Sequence, residues 1–122
     1  MTTPVRLLLT GAAGGLGQAL RPRLAANCEI LRLSDVAPLA PAAAHEECVP
    51  ADLSDAQAVM DLVAGCQSIV HLGGISVEAP WASILKANVE GVVNLYEAAR
   101  VHGVKRVDHE STIPFVIALS SS

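Results

Sequence analysis

At 122 residues the chain is long enough for one domain with a real apolar core and too short for two. Its residues are 52% apolar and 16% charged with a net charge of −4, which excludes a disordered chain and a polybasic nucleic-acid binder and leaves any anionic ligand to be held by local geometry. No stretch approaches the roughly 20 apolar residues of a bilayer span, and the segment from Met1 to Arg6 lacks the sections of a secretion signal. The expected setting is therefore the cytoplasm, with a small-molecule ligand and without a membrane or nucleic-acid partner.

Val5 to Thr10 is an almost unbroken apolar run, the pattern of a parallel strand covered on both faces. It breaks into Gly11-Ala12-Ala13-Gly14-Gly15-Leu16-Gly17, after which Leu16, Leu20 and Leu24 recur at helical spacing and predict one apolar stripe facing a sheet. Pro22 falls inside that helix and predicts a kink or an early end. Glu29 to Ser34 reads as a second strand closed by Asp35, and Ala37 to Ala44 as a Pro- and Ala-rich connector. Cys48 to Ala51 reads as a short third strand.

Ser54 with Gln57 three residues later has the form of a capping box, and Val59, Leu62 and Val63 supply an apolar helix face ended by Gly65. Ser68 to Leu72 is the next strand. From Trp81 to His102 the apolar residues Leu85, Val89, Val92, Tyr96 and Ala99 keep a helical period, with Gly103 as the C-cap. Ile113 to Leu119 reads as a fifth strand in a tail that turns irregular from about Asp108. Cys28, Cys48 and Cys66 lack CxxC spacing and read as reduced packing residues.

Strands alternating with helices at these intervals predict an α/β fold. The expected form is a Rossmann-type doubly wound parallel sheet, a three-layer αβα sandwich of about five strands filling residues 1–122 as one domain.

Gly11, Gly14 and Gly17 form GxxGxxG between the first strand and the first helix. In that context the first glycine permits a tight turn, the second lets backbone approach a pyrophosphate, and the third lets the helix lie against the strand. The helix N-terminus then offers unpaired N–H groups to phosphate. Asp35 ends the second strand close to the spacing of about 20 residues expected for the acid that hydrogen-bonds an adenosine ribose. Its carboxylate repels a 2′-phosphate and predicts NAD over NADP, a preference that the nearby cation Arg32 tempers.

Four segments carry a resemblance to the extended short-chain dehydrogenase/reductase family, which includes NAD-dependent epimerases and dehydratases. They are Thr10 to Gly17, Ala51 to Asp55, Val70 to Gly74 and Asn88 to Arg100, in the family's order and spacing. Within that family, Glu29 to Asp35, Glu46 to Val49 and above all His71 to Glu78 look most like the uronate dehydrogenases, since most sugar epimerases carry alanines after the His-Leu pair. The resemblance implies an NAD-dependent oxidation of the C1 hydroxyl of a hexuronic acid to an aldarolactone.

The resemblance also implies roles for single residues. Ala13, Gly15 and Leu16 join Gly11, Gly14, Gly17 and Asp35 at the cofactor, Asp52 and Leu53 sit at the adenine, Leu72, Gly73 and Asn88 lie along the cofactor, and Ser76 stands beside the sugar. Asp52 has a second reading as the cap of the turn before the Ser54 helix. His71 at a strand end reads as structural, and Tyr96 as a core residue.

The family's Tyr-x-x-x-Lys pair, in which the ammonium lowers the phenol pKa so that tyrosinate acts as base, is not in this sequence, where Tyr96 is followed four residues later by Arg100. One register matches Ser120 to Ser122 with the family's strand-end serines and marks Ser121 and Ser122 as candidate catalytic residues; another pairs Thr112-Ile113 with a later loop of the family and deletes that strand. The expectation is an NAD-binding, N-terminal portion of a uronate-dehydrogenase-like oxidoreductase, inactive alone. The competing readings are a nucleotide-sugar epimerase/dehydratase half, and a non-catalytic nucleotide-binding or scaffold module that pairs with a partner, a second copy included, through the Trp81 to His102 helix.

Overall fold

Leu8 and Leu9 are fully buried and Leu7 nearly so, three successive side chains that a strand can hide only when both of its faces are covered. They form β1 (Arg6–Thr10) at the centre of the sheet. The computed structural model describes residues 5–72, 81–104, 106–110 and 116–120, with side chains described over 5–72 and 89–104. In chain order β1 is followed by α1 (Gly15–Ala25), β2 (Ile30–Ser34), β3 (Glu46–Cys48), α2 (Ala56–Val63), β4 (Ser68–Leu72), α3 (Trp81–Val101), β5 (Arg106–Glu110) and β6 (Val116–Ser120).

The sheet order is β3-β2-β1-β4-β6-β5. β1 to β4 run parallel, in the register Thr10 opposite both Ser34 and His71, so the α/β Rossmann-type fold expected from the sequence is present. The departure is at the end of the chain. β6 pairs antiparallel with β4 and β5 antiparallel with β6, so the residues read as an irregular tail and a fifth strand form two strands and give a sheet of six.

Side chains alternate between two cores, one on each face of the sheet. Leu8 and Ile69 point to the α2 and α3 side with Val59, Leu62, Val63, Leu95 and Ala98. Leu9, Leu31, Leu33 and Leu72 point to the α1 side, where Leu20 and Leu24 pack on them. Leu16 does not join the expected stripe: it is 40% exposed, because it lies in the first turn of α1 above the edge of the sheet. The helix also runs through Pro22 to Ala25, so the proline does not stop it there.

Two local readings shift. β3 is Glu46–Cys48 rather than Cys48 to Ala51. The cap of α2 is Asp55, whose carboxylate accepts from the Gln57 and Ala58 amides, while Ser54 instead donates to Asp52. Gly65 and Gly103 end their helices with φ of +82° and +78°. At Gly103 the Val104 amide donates to Ala99 and the Gly103 amide to Arg100, a Schellman motif.

Cys66 is buried, Cys28 and Cys48 are half-buried, and all three are free thiols. Among the described residues no helix is long and apolar enough to cross a membrane, and no cluster of His, Cys, Asp or Glu is placed to hold a metal ion.

Candidate functional site

The sheet order reverses between β1 and β4, since β1 is followed in sequence by strands on one side of it while β4 starts the other side. Open parallel sheets place ligands outside the carboxyl ends of the strands at such a point. Thr10, Ser34 and Leu72 end their strands there, and the glycine turn leaves β1 directly over the crevice.

The fold accounts for two of the glycines. Gly11 has a φ of +69°, and a Cβ on it would stand 2.5 Å from the Leu72 carbonyl oxygen. Gly17 is buried, and a Cβ there would strike the Gly11 carbonyl oxygen and sit 2.7 Å from the Ala12 Cα. The first and third glycines therefore bring strand, turn and helix into contact.

The fold does not account for the other two. Gly14 and Gly15 are exposed; a Cβ on Gly14 would meet only the Gly11 oxygen, at an ordinary 3.6 Å, and one on Gly15 would meet nothing within 4 Å. They open α1, whose N-cap is Gly14 and which has no side-chain cap. The contrast with α2 is direct, because there Asp55 satisfies two of the orphan amides. The N–H groups of the first turn of α1 thus point out over the strand ends with no carboxylate of their own, and the helix dipole makes that spot favourable for an anion.

Asp35 is tied into the same turn. Its Oδ2 accepts from the Ala13 amide at 2.9 Å and its Oδ1 from the Ala37 amide at 3.1 Å, so the carboxylate is held beside the glycine turn by two backbone bonds. Arg32, read from the sequence as a cation near this acid, is elsewhere. Its guanidinium binds Glu47 at 2.9 Å and caps the C-terminus of α2 through the carbonyls of Leu62 and Ala64 at 2.6 and 2.9 Å. Strand alternation explains the separation: Arg32 projects to the α2 face from the middle of β2, two residues before the crevice.

Asp52 is exposed, and its Oδ1 accepts from both the amide and the hydroxyl of Ser54, which hold its carboxyl below the usual range. The turn-capping reading of Asp52 is therefore met by the geometry. Leu53 is half-buried under α3, where Asn94 Nδ2 donates to its carbonyl at 2.7 Å and Gly91 leaves just enough space for its side chain. Leu72 is buried against Gly11.

Gly73, Ser76, Ser121 and Ser122 lie outside the described residues, and Asn88 is placed on α3 with its side chain outside them. Tyr96 packs half-buried against the α2 and α3 core, and burial pushes its phenol pKa up, the reverse of what a catalytic tyrosinate needs.

Two features beside the turn were not legible as site features. A cavity of about 360 Å³ opens between Ala12, Ala13, Gln18 and Arg21 on one side and Pro38 to Pro41 of the connector on the other. Arg21 holds that wall in place: it binds both Glu46 oxygens, at 3.0 and 2.9 Å, and the carbonyls of Ala40 and Pro41. Its hydrogen bonds draw the Glu46 carboxyl down to about 2. The second feature is a bond of 2.6 Å shared by Thr10 Oγ1 and His71 Nδ1, both buried, under the glycine turn. Burial alone lowers the His71 pKa to about 4, so the ring is neutral at pH 7.

Residues 7–116 match the model of the NAD dependent epimerase/dehydratase family. Uronate dehydrogenase of Pseudomonas putida is 57% identical over 108 residues, which are 87% of this chain and 40% of that protein. Uronate dehydrogenase of Agrobacterium fabrum is 62% identical over 102 residues, 84% of this chain and 38% of that protein. Among solved structures, a variant of uronate dehydrogenase from Agrobacterium tumefaciens complexed with NAD superposes with a TM-score of 0.75 at 63% identity, over 80% of this chain and 37% of that one. Glucuronic acid dehydrogenase from Chromohalobacter salexigens gives a TM-score of 0.78 at 58% identity, over 84% and 39%. The chain therefore spans about two fifths of the length of these relatives. With a matching family model over most of its length and the family's glycine turn in the expected place, the chain belongs to the NAD dependent epimerase/dehydratase family.

Proposed function

We propose that this chain holds NAD and is the dinucleotide-binding part of a uronate dehydrogenase, acting on the C1 hydroxyl of a hexuronic acid. The observation that carries the reading is the uncapped N-terminus of α1, opened by two exposed glycines that folding does not require and flanked by a carboxylate bonded to the same turn. The amides of Gly15, Leu16 and Gly17 receive the diphosphate, and Gly14 keeps the approach free of side chains. Asp35 accepts from the adenosine ribose hydroxyls and disfavours a 2′-phosphate, with Arg32 bound to Glu47 and unable to offset it. Leu53, Asp52, Leu72, Gly73 and Asn88 line the remaining length of the cofactor, and Ser76 contacts the sugar acid.

The bound nicotinamide ring supplies the hydride acceptor. The residues of this chain bind and orient it at the carboxyl ends of β1 and β4. Its one tyrosine is packed in the core, so the reading assigns these residues the cofactor and not the proton transfer. Ser121 and Ser122 stay assigned to the reaction through their match to the family's strand-end serines.

Isothermal titration with NAD, NADP and ADP tests the proposal. NAD binds and NADP binds more weakly, and Asp35→Ala weakens NAD by about ten-fold while narrowing the difference between the two, the size expected for one hydrogen bond to a charged group. A folded chain that takes up neither NAD nor ADP at millimolar concentration contradicts it.

A further inference from the structure

Ser34, Thr10 and His71 stand side by side at one register across β2, β1 and β4, on the sheet face that packs against α2 and α3. On the same face Leu8 and Ile69 are fully buried, and Arg32 is tied to Glu47 and to the carbonyls at the end of α2. Thr10 is 1% exposed and His71 4%, and the hydrogen bond between them is at the short end for a neutral pair. A buried polar pair of this kind contributes little net stability over a well-packed apolar one, but it permits one relative placement of its two strands where apolar side chains permit several.

The place of the bond matters. Thr10 opposite His71 is the last register pair between β1 and β4. One residue further on, Gly11 passes so near Leu72 that no Cβ fits between them, and the chain then turns into the first helical amides of α1. The Thr10–His71 bond thus ties the two strands together at the point where the glycine turn begins.

We propose that His71 is a positioning residue for dinucleotide binding, fixing through Thr10 the direction in which β1 hands over to Gly11 and hence where the amides of the glycine turn point. The inference rests on the reading of that turn as a diphosphate cradle. It differs from a packing role in one respect. A packing residue affects every ligand of the crevice alike, whereas a residue that aims the turn affects those ligands that carry a diphosphate.

Titrations of NAD, ADP and adenosine against the wild-type chain, Thr10→Val, Thr10→Ser, His71→Phe and the Val/Phe double variant, each first shown to be folded by circular dichroism, decide the matter. Thr10→Val and His71→Phe each weaken NAD and ADP by about ten-fold, as expected for loss of one well-placed hydrogen bond. Adenosine affinity stays within about two-fold. Thr10→Ser, which keeps the hydroxyl, restores wild-type affinity, and the loss in the double variant is smaller than the sum of the two single losses, because both remove the shared bond.

Unchanged NAD affinity in Thr10→Val, equal losses for adenosine and NAD, or failure of serine to restore binding overturns the role of His71 while leaving the cofactor reading intact. A wild-type chain that binds neither NAD nor ADP removes both. If His71→Phe does not fold, Thr10→Val carries the test, since it is nearly isosteric and follows the three buried leucines of β1.

Discussion

The glycines of the turn divide into two kinds, as the motif positions predict, and the contacts of the fold show the division. Gly11 and Gly17 are fixed by contact between strand, turn and helix, so a methyl group at position 17 has to displace backbone atoms of Gly11 and Ala12. Gly17→Ala is expected to destabilise the fold by about 3 kcal/mol or more, the range of overpacking against backbone, and to appear as a lowered Tm or insoluble protein. Gly14→Ala and Gly15→Ala meet no such obstacle. Alanine there leaves Tm within a few degrees and reduces NAD affinity, because it occupies the space above the helical amides that a phosphate needs. Calorimetric titration beside a melting curve checks both halves, and equal loss of stability at Gly15 and Gly17 would contradict the division. The motif already separates Gly11 and Gly17, read as turn and helix contact, from Gly14, read as the phosphate approach; Gly15 lies outside the three motif positions, and spacing alone does not say whether a ligand or the fold requires it. The sequence marks Asp35 as a candidate, because a strand-end acid at that distance has one common use, and the structure bonds that carboxylate to the glycine turn. It left Arg32 ambiguous, because proximity along a strand says nothing about which face a side chain takes until the register is known.

The elements were legible where a single physical signal dominates. Four parallel strands and three helices follow from apolar runs and helical spacing, and each survives with ends moved by a few residues. β3 moved because its three residues, Glu46, Glu47 and Cys48, are mostly charged. It is a strand because Glu46 and Glu47 are neutralised by Arg21, Arg32 and Arg6, long-range partners that no local pattern reveals. The cap of α2 moved by one residue for a related reason: Ser54 and Asp55 are both good caps, and Asp52 takes the serine first. A strand over Ile113 to Leu119 was legible and β6 covers most of it, but its antiparallel direction and the strand β5 were not, since direction in a sheet is set by partners distant in sequence. The capping assignment is itself testable. Asp55→Ala removes the acceptor of the Gln57 and Ala58 amides and is expected to lower stability by about 1 kcal/mol, whereas Ser54→Ala has less than half that effect. Chemical denaturation of the two variants checks the order, and a larger loss at Ser54 would return the cap to that residue.

For the molecule as a whole, acid stability joins the two sheet faces into one measurable quantity. His71 is neutral when folded, its pKa lowered from 6.5 to about 4 by burial, so the unfolded chain binds a proton between these values that the folded chain does not. Its contribution is complete above pH 6.5 and lost as pH falls toward 4, and it amounts to at most about 3 kcal/mol. Glu46 acts lower on the scale. Arg21 draws its carboxyl from 4.5 to about 2, so the stability it adds is complete above pH 4.5 and lost as pH falls toward 2. Both groups therefore make the protein less stable in acid, but in windows that scarcely overlap. Denaturant unfolding followed from pH 7 to pH 3 is expected to show two declines, the upper one removed by His71→Phe and the lower one reduced by Glu46→Gln, with Glu47 and Asp52 supplying the rest of it. Because His71 stands under the glycine turn and Glu46 braces the connector beside it, the two variants also report on the two walls of the crevice. An upper decline that persists in His71→Phe would mean that another group titrates there, and the neutral ring beneath the turn would no longer explain the loss.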